Sequence, residues 1–174
     1  MERPDKRSYY LDIARAVAQR STCLRKHWGA CIVKEDTIVA TGYNGAPRGC
    51  TNCSDIGVCW RAKNNIPRGT RYELCKANGV HSEQNAIIAA GREKCIGATM
   101  YIFGWDMESN GIVHNPDSCQ MCKRAIINAG IEEVVFADGD VTELNDGVIS
   151  YTTRRVKVDT WVKEGAVEPN PEGY

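Results

Sequence analysis

The chain is predicted to be an α/β layered domain. Its second half alternates helix, strand, helix, strand, the order that lays crossover helices on a sheet. Its 174 residues fit one domain, 1–174, able to bury a substantial core, and no repeat, low-complexity tract or linker divides them. Taken in order, residues 8–19 place Tyr10, Ile13, Ala14 and Val17 at helical spacing, a stripe suited to packing on a sheet. Residues 29–33 (GACIV) and 37–40 (TIVA) read as a strand pair, with Lys34-Glu35-Asp36 as the turn. Residues 42–49 (GYNGAPRG) are a loop by composition. Residues 50–80 have little periodicity, four cysteines and the breakers Pro67 and Gly69. They read as an insertion that needs a staple rather than as a second domain. Residues 82–91 form a helix rich in alanine and isoleucine that stops at glycine, and residues 99–103 (TMYIF) form a strand. A helix over 119–129, ended at Gly130, and a strand over 133–136 (EVVF) follow. The tail after Glu164, with Pro169 and Pro171, is expected to be loose.

Composition narrows the function classes. Lys+Arg and Asp+Glu both number 22, so the formal net charge is zero. A protein that tracks a phosphate polymer carries basic excess, which argues against long nucleic acid as a partner. A single nucleotide needs only one or two well-placed cations. The N-terminus is charged and lacks the apolar stretch of a signal peptide, and the longest apolar run, residues 86–90, is far short of a membrane span. A soluble, cytoplasmic chain with no membrane partner is expected. Nine cysteines is a high and odd number. In a reducing compartment, clustered cysteines point to metal ligation rather than to disulfides.

The chemistry is concentrated in two short motifs. His81-Ser82-Glu83 is followed by Cys119-Gln120-Met121-Cys122. One imidazole and two thiolates make a three-ligand zinc set that leaves a fourth position open for water. Glu83, two residues beyond the histidine, is close enough to move that water's proton without being a ligand. A Cys-x-x-Cys pair alone suits a redox couple or half a structural site, and a lone helical histidine suits a packed or surface role. Two such motifs opening successive helices, with a strand between, are hard to obtain by accident. Helix N-termini also favour the thiolate and carboxylate forms. The arrangement is the H-x-E, P-C-x-x-C signature of zinc nucleobase deaminases, with one departure. Pro116 lies three residues before Cys119, and Asp117 and Ser118, both good capping residues, intervene.

A second, structural zinc is expected on Cys23, Cys53, Cys59 and Cys75. Cys53 and Cys59 lie in the aperiodic insertion, Cys75 at its end and Cys23 just after the first helix, so one closed tetrahedral site would tie the insertion to the core. Cys50 is the alternative for Cys53 or Cys59, while Cys31 and Cys95 read as small core residues. The competing reading is four free thiols in a small apolar patch.

On the stretches RSTC at 20–23, TGYNGAP at 41–47, HSEQNAI at 81–87 and CQMCKRAIINAGI at 119–131, the chain resembles the deoxycytidylate (dCMP) deaminase family and its late-competence-type relatives. The likeness spans about residues 8–137. The His and Cys motifs mark the superfamily, and the GYNGAP loop with the cysteine-rich insertion marks the nucleotide branch. Departures are Ser82, where the family has alanine, and the longer stretch 105–118 before the cysteine pair. The resemblance implies a three-layer α/β/α fold around a five-stranded mixed sheet, and zinc-dependent hydrolysis of dCMP to dUMP and ammonia. It also implies a homo-oligomer, commonly a hexamer, with dCTP and dTTP as effectors. Asn44 matches the family position that contacts the nucleotide, although an Asn between Tyr43 and Gly45 also suits a left-handed turn. Arg25, Lys26, Arg48 and Arg154 are the candidate phosphate cations, with the pair after the first helix ranked first. Tyr151 is the candidate to close over the base, with a packed aromatic as its alternative. The rival functions are a deaminase of another cytosine nucleotide, nucleoside or base-containing metabolite, and a non-catalytic zinc-stabilised regulator. Neutral charge argues against a tRNA substrate, and an intact Glu83 argues against a purely structural site.

Overall fold

The computed structural model describes residues 3–67, 70–72, 75, 79–143 and 147–163. The tail after Glu164 lies outside the described residues. Asp5 starts the first helix, α1 (Lys6–Ala18), by accepting the Arg7 and Ser8 amides at 2.9 and 3.3 Å, donors that have no partner inside the helix. The helix buries Tyr10, Leu11, Ala14 and Ala18, while Ile13 and Val17 are half-buried. Its apolar face is thus turned slightly from the predicted stripe. The reason is the strand beneath it. A Cβ on Gly29 would collide with the Ala14 carbonyl and the Ala18 amide, so the bare backbone there fixes which residues of α1 rest on the sheet.

Strands β1 (Lys26–Lys34) and β2 (Thr37–Tyr43) pair antiparallel. Lys34 opposes Thr37, so the turn shrinks to Glu35 and Asp36, at φ 48° and 62°. Two left-handed residues match the twist of a two-residue hairpin. Asp36 is gripped from α1 by the Tyr10 hydroxyl at 2.6 Å and by Lys6 at 2.5 Å.

Among the described residues the insertion holds two single-turn helices, α2 (Cys53–Ile56) and α3 (Trp60–Lys63). Its ends are joined where Gly45 and Val80 exchange backbone hydrogen bonds of 3.2 and 2.8 Å. Then come α4 (Ser82–Ala90), α5 (Arg92–Cys95), β3 (Thr99–Asp106), the two-residue β4 (Gly111–Ile112), α6 (Gln120–Ala129), β5 (Glu133–Glu143), β6 (Ile149–Lys157) and α7 (Val158–Lys163).

The strand order is β2-β1-β3-β5-β6, with β4 added to one end of β3. Among the described residues only the β3–β5 pair is parallel, as expected for strands joined across a helix, and the sheet is therefore mixed. The pleat sorts the core into two halves. Ala30, Ile32, Met100, Ile102, Val134 and Phe136 face α4, α6 and α7, and Cys31, Val33, Tyr101, Phe103, Val135 and Ala137 face α1. The predicted three-layer α/β/α architecture with five principal strands is what forms. Among the described residues no helix is long and apolar enough to cross a membrane.

Candidate active site

The two motifs meet at the N-terminal ends of α4 and α6, on one face of the sheet. Gly42 on β2 makes the approach of α4 possible, because a Cβ there would strike the Ala86 amide and the Ser82 carbonyl. Asn85 then ties α4 to the end of β2 by donating to the Tyr43 carbonyl at 2.7 Å. His81 is the cap of α4, and its amide donates to the Gln84 side chain at 3.0 Å. Cys119 is the cap of α6, and Cys122 lies in its first turn. The parallel β3–β5 pair, with α6 as its crossover, brings these caps together although 38 residues separate them.

His81 Nδ1 lies 3.5 Å from Cys119 Sγ and 3.4 Å from Cys122 Sγ. A tetrahedral zinc with ordinary Zn–N and Zn–S bonds would separate nitrogen from sulfur by about 3.6 Å, so the donor set fits that ion. All three ligand atoms lie within 4.8 Å of one another. The Cys119 thiol is held well below its usual range by the hydrogen bond from Cys122 and by His81. The Cys122 thiol is pushed up by the same bond, by burial and by Glu83. Burial opposes charge on His81, but Cys119 and Glu83 outweigh it and raise its pKa.

Glu83 is buried to 8 % exposure, and two hydroxyls hold its carboxylate. Ser82 Oγ donates to Oε2 at 2.9 Å, and Ser118 Oγ donates to Oε1 at 3.0 Å. Both groups open onto a cleft of about 330 Å³, a volume suited to a small-molecule ligand.

The other anticipated residues divide. Asn44, Arg25 and Lys26 line the cleft. Asn44 is not among the positive-φ residues. Its Oδ1 accepts the Trp28 amide and the Ser21 hydroxyl, both at 2.7 Å, and its Nδ2 donates to the Lys26 carbonyl at 3.0 Å. One amide hydrogen is left for a ligand. Arg25 donates to the Ile66 carbonyl at 3.3 Å, and Lys26 pairs with Asp106 at 3.5 Å.

Arg48 is exposed and does not line the cleft. Arg154 does not line it either, and its guanidinium donates to the Pro116 carbonyl at 2.6 Å and to Asp117 at 3.3 Å. Tyr151 lies in the core half that faces α1, where its hydroxyl donates to Asp12 at 2.9 Å. The pleat of β6 aims it away from the cleft, so it packs in the core and does not close over the base.

Sequence reasoning missed Arg61, which is buried, lines the cleft and stacks over the Tyr72 ring at 5.2 Å. Tyr72 in turn meets the His81 ring edge-on at 4.7 Å. One Arg61 arm donates to the Pro67 and Thr70 carbonyls, while its buried Nε has no hydrogen-bond partner among the described residues. Aperiodic sequence around Arg61 carries no signal that would have singled it out.

Cys23, Cys53 and Cys75 also line the cleft, and Cys59 caps α3. The Cys53 thiol is pushed up to about 11 by burial and then by its neighbours Cys75, Cys23 and Cys59. These sulfurs share a neighbourhood, yet among the described residues no three of them approach as closely as the His81 set does. Cys50 is exposed, and Cys31 and Cys95 are fully buried in the two core halves.

Residues 4–138 match the model of the cytidine and deoxycytidylate deaminase zinc-binding region. The chain is 38% identical over 138 residues to the deoxycytidylate deaminase of Mycobacterium phage D29, covering 78% of this chain and 97% of that one. It is 34% identical over 135 residues to the deoxycytidylate deaminase of Schizosaccharomyces pombe, covering 77% of this chain but 37% of the fungal protein. A crystal structure of the dCMP deaminase of cyanophage S-TIM5, in complex with dCMP and dUMP, shares 26% identity at a TM-score of 0.51, covering 77% of this chain and 82% of that one. The crossing caps, the zinc-suited donor set and these likenesses place the chain in the cytidine and deoxycytidylate deaminase family.

Proposed function

We propose that this chain is a zinc-dependent hydrolase that converts dCMP to dUMP and ammonia. The observation that carries the reading is the meeting of His81, Cys119 and Cys122 beside the buried Glu83 carboxylate, at the floor of a cleft large enough for a nucleotide. Likeness along 97% of a phage deoxycytidylate deaminase supports the choice of substrate.

His81, Cys119 and Cys122 would hold the ion, which supplies a Lewis acid that makes a water acidic enough to attack at neutral pH. Glu83 takes the proton from that water as its oxygen adds to C4 of cytosine. The same carboxyl delivers that proton to ring nitrogen N3, takes the remaining proton from the hydroxyl now on C4, and passes it to the exocyclic amine as the C4–N bond breaks, the C4 carbonyl forms and ammonia leaves. Asn44, already fixed by three hydrogen bonds, offers its remaining amide hydrogen to the nucleotide. Among the described residues, Arg25, Lys26 and Arg61 are the cleft cations available to the 5′-phosphate, and Arg61 is the strongest candidate because its buried Nε has no partner among those residues. A guanidinium forks onto phosphate with several donors at once.

Cys23, Cys53, Cys59 and Cys75 are proposed to hold a second, structural zinc. Their shared neighbourhood and the aperiodic insertion they would staple support this. A single domain, a homo-oligomer such as a hexamer, effector sites for dCTP and dTTP, and a cytoplasmic location complete the proposal, supported by family resemblance.

The experiment is a substrate panel with zinc-loaded protein. Turnover of dCMP, read as the absorbance fall of deamination, should exceed that of cytidine and deoxycytidine. Equal turnover of the phosphate-free nucleosides would exclude the nucleotide assignment, and binding of dCMP without turnover would favour a regulator.

A further inference from the structure

Ser82, at the open position of the His-x-Glu motif, and Ser118, directly before Cys119 at the position of the signature's proline, meet at one carboxylate. We propose that Ser82 and Ser118 are positioning residues that clamp Glu83, one on each carboxylate oxygen. The inference rests on the deaminase reading given above.

The geometry is complete on both sides. Ser82 is 0 % exposed and donates to Oε2 at 2.9 Å, and Ser118 is 4 % exposed and donates to Oε1 at 3.0 Å. Two donors on different oxygens fix the plane of the carboxylate, which one donor would leave free to turn. An ionised carboxylate has about four lone-pair sites, so one remains on each oxygen for the reacting proton.

Ser118 is itself braced. Its amide donates to Asp117 Oδ1 at 3.0 Å, and Asp117 is gripped by Lys123 at 2.6 Å and Arg154 at 3.3 Å. Arg154 also holds the Pro116 carbonyl at 2.6 Å. A strut from β6 and α6 therefore sets the hydroxyl that the proline of the signature does not have.

Hydroxyls suit this task for a chemical reason. A serine donates to the ionised carboxylate and, by rotating its O–H, accepts from the protonated one. The clamp therefore persists when Glu83 gains the water's proton and when it gives that proton up. A backbone amide can only donate, so it would hold the neutral carboxyl less strongly than the carboxylate.

The test compares Ser82→Ala, Ser118→Ala and the double variant in zinc-loaded protein, with metal content measured alongside. Each single change should lower kcat for dCMP about tenfold and the double change about a hundredfold, in keeping with a lost hydrogen bond to a charged group. KM should stay within about twofold, because the clamp acts on the proton carrier rather than on uniform binding. Ser118→Thr, which keeps the hydroxyl, should recover most of the loss. A double variant with full zinc and kcat within about threefold of wild type would overturn the clamp, as would a loss confined to KM. If the double variant sheds zinc, the single variants decide by the same split. Failure of the zinc-loaded wild type to turn over dCMP would overturn the deaminase reading and the clamp with it, whereas active serine variants overturn the clamp alone.

Discussion

Replacing Glu83 by glutamine separates what this residue does for the fold from what it does for the reaction. The side chain keeps its shape, and Oε1 can still accept a serine hydroxyl. The amide nitrogen now needs an acceptor, which the other serine provides by rotating. Both charge-assisted hydrogen bonds become neutral ones, a net loss of about 1 kcal/mol once the relief of a buried charge is set against it. The melting temperature should therefore move by no more than about 4 °C in a chain of this size. The three zinc ligands are untouched, so metal content should remain at the wild-type value. Turnover should not survive. A neutral amide cannot take the water's proton, and general acid–base catalysis is worth about 10²- to 10⁴-fold, or roughly 3–5 kcal/mol of barrier. The assay is kcat for dCMP from the absorbance fall, with zinc content and melting temperature on the same preparation. A glutamine variant that holds zinc and retains kcat within about tenfold of wild type would refute the mechanism.

Three further outcomes follow from particular contacts. Arg61→Ala should raise KM for dCMP by about 10- to 100-fold and leave deoxycytidine turnover little changed, as a phosphate contact present in ground and transition states requires; equal losses on both substrates would assign Arg61 to the insertion's structure. Gly42→Ala should cost about 3 kcal/mol and lower activity with it, because the added methyl meets the α4 backbone; an unchanged denaturation midpoint would show that α4 can move off the sheet freely. Cys59→Ala should remove one of two zincs and destabilise the insertion while sparing kcat, since binding energy at a structural site is folding energy; one zinc per chain in fully active wild-type protein would exclude the second site.

What the sequence made legible was local. Ligand type and spacing are read along the chain, and so are the glycines at Gly91 and Gly130 that end α4 and α6. Strand β6 escaped notice because Ile149–Lys157 alternates weakly and mixes threonine with arginine. Missing it also left both readings of Tyr151 open, and the pleat of that strand settles them in favour of the packed aromatic, in the half-core with Phe103. The face of α1 turned for a comparable reason, since the contact at Gly29 is a property of the pair and not of the helix. Partners 35 residues apart, such as Ser118 and Glu83, leave no periodic trace at all.

The same distinction explains how an altered motif can still build the site. In the signature, a proline stiffens the backbone before the first cysteine, an effect written in one residue. Here Asp117 and Ser118 occupy that stretch, and its rigidity comes from Arg154 on β6 and Lys123 on α6. Arg154 lies over the Phe136 ring at 5.6 Å, so the brace is anchored on the parallel strand that already aligns the two helix caps. Constraint that the signature places in a ring is carried here by ion pairs and hydrogen bonds. That exchange leaves position 118 free to carry a hydroxyl, and the hydroxyl reaches the carboxylate on which the proposed proton transfers depend.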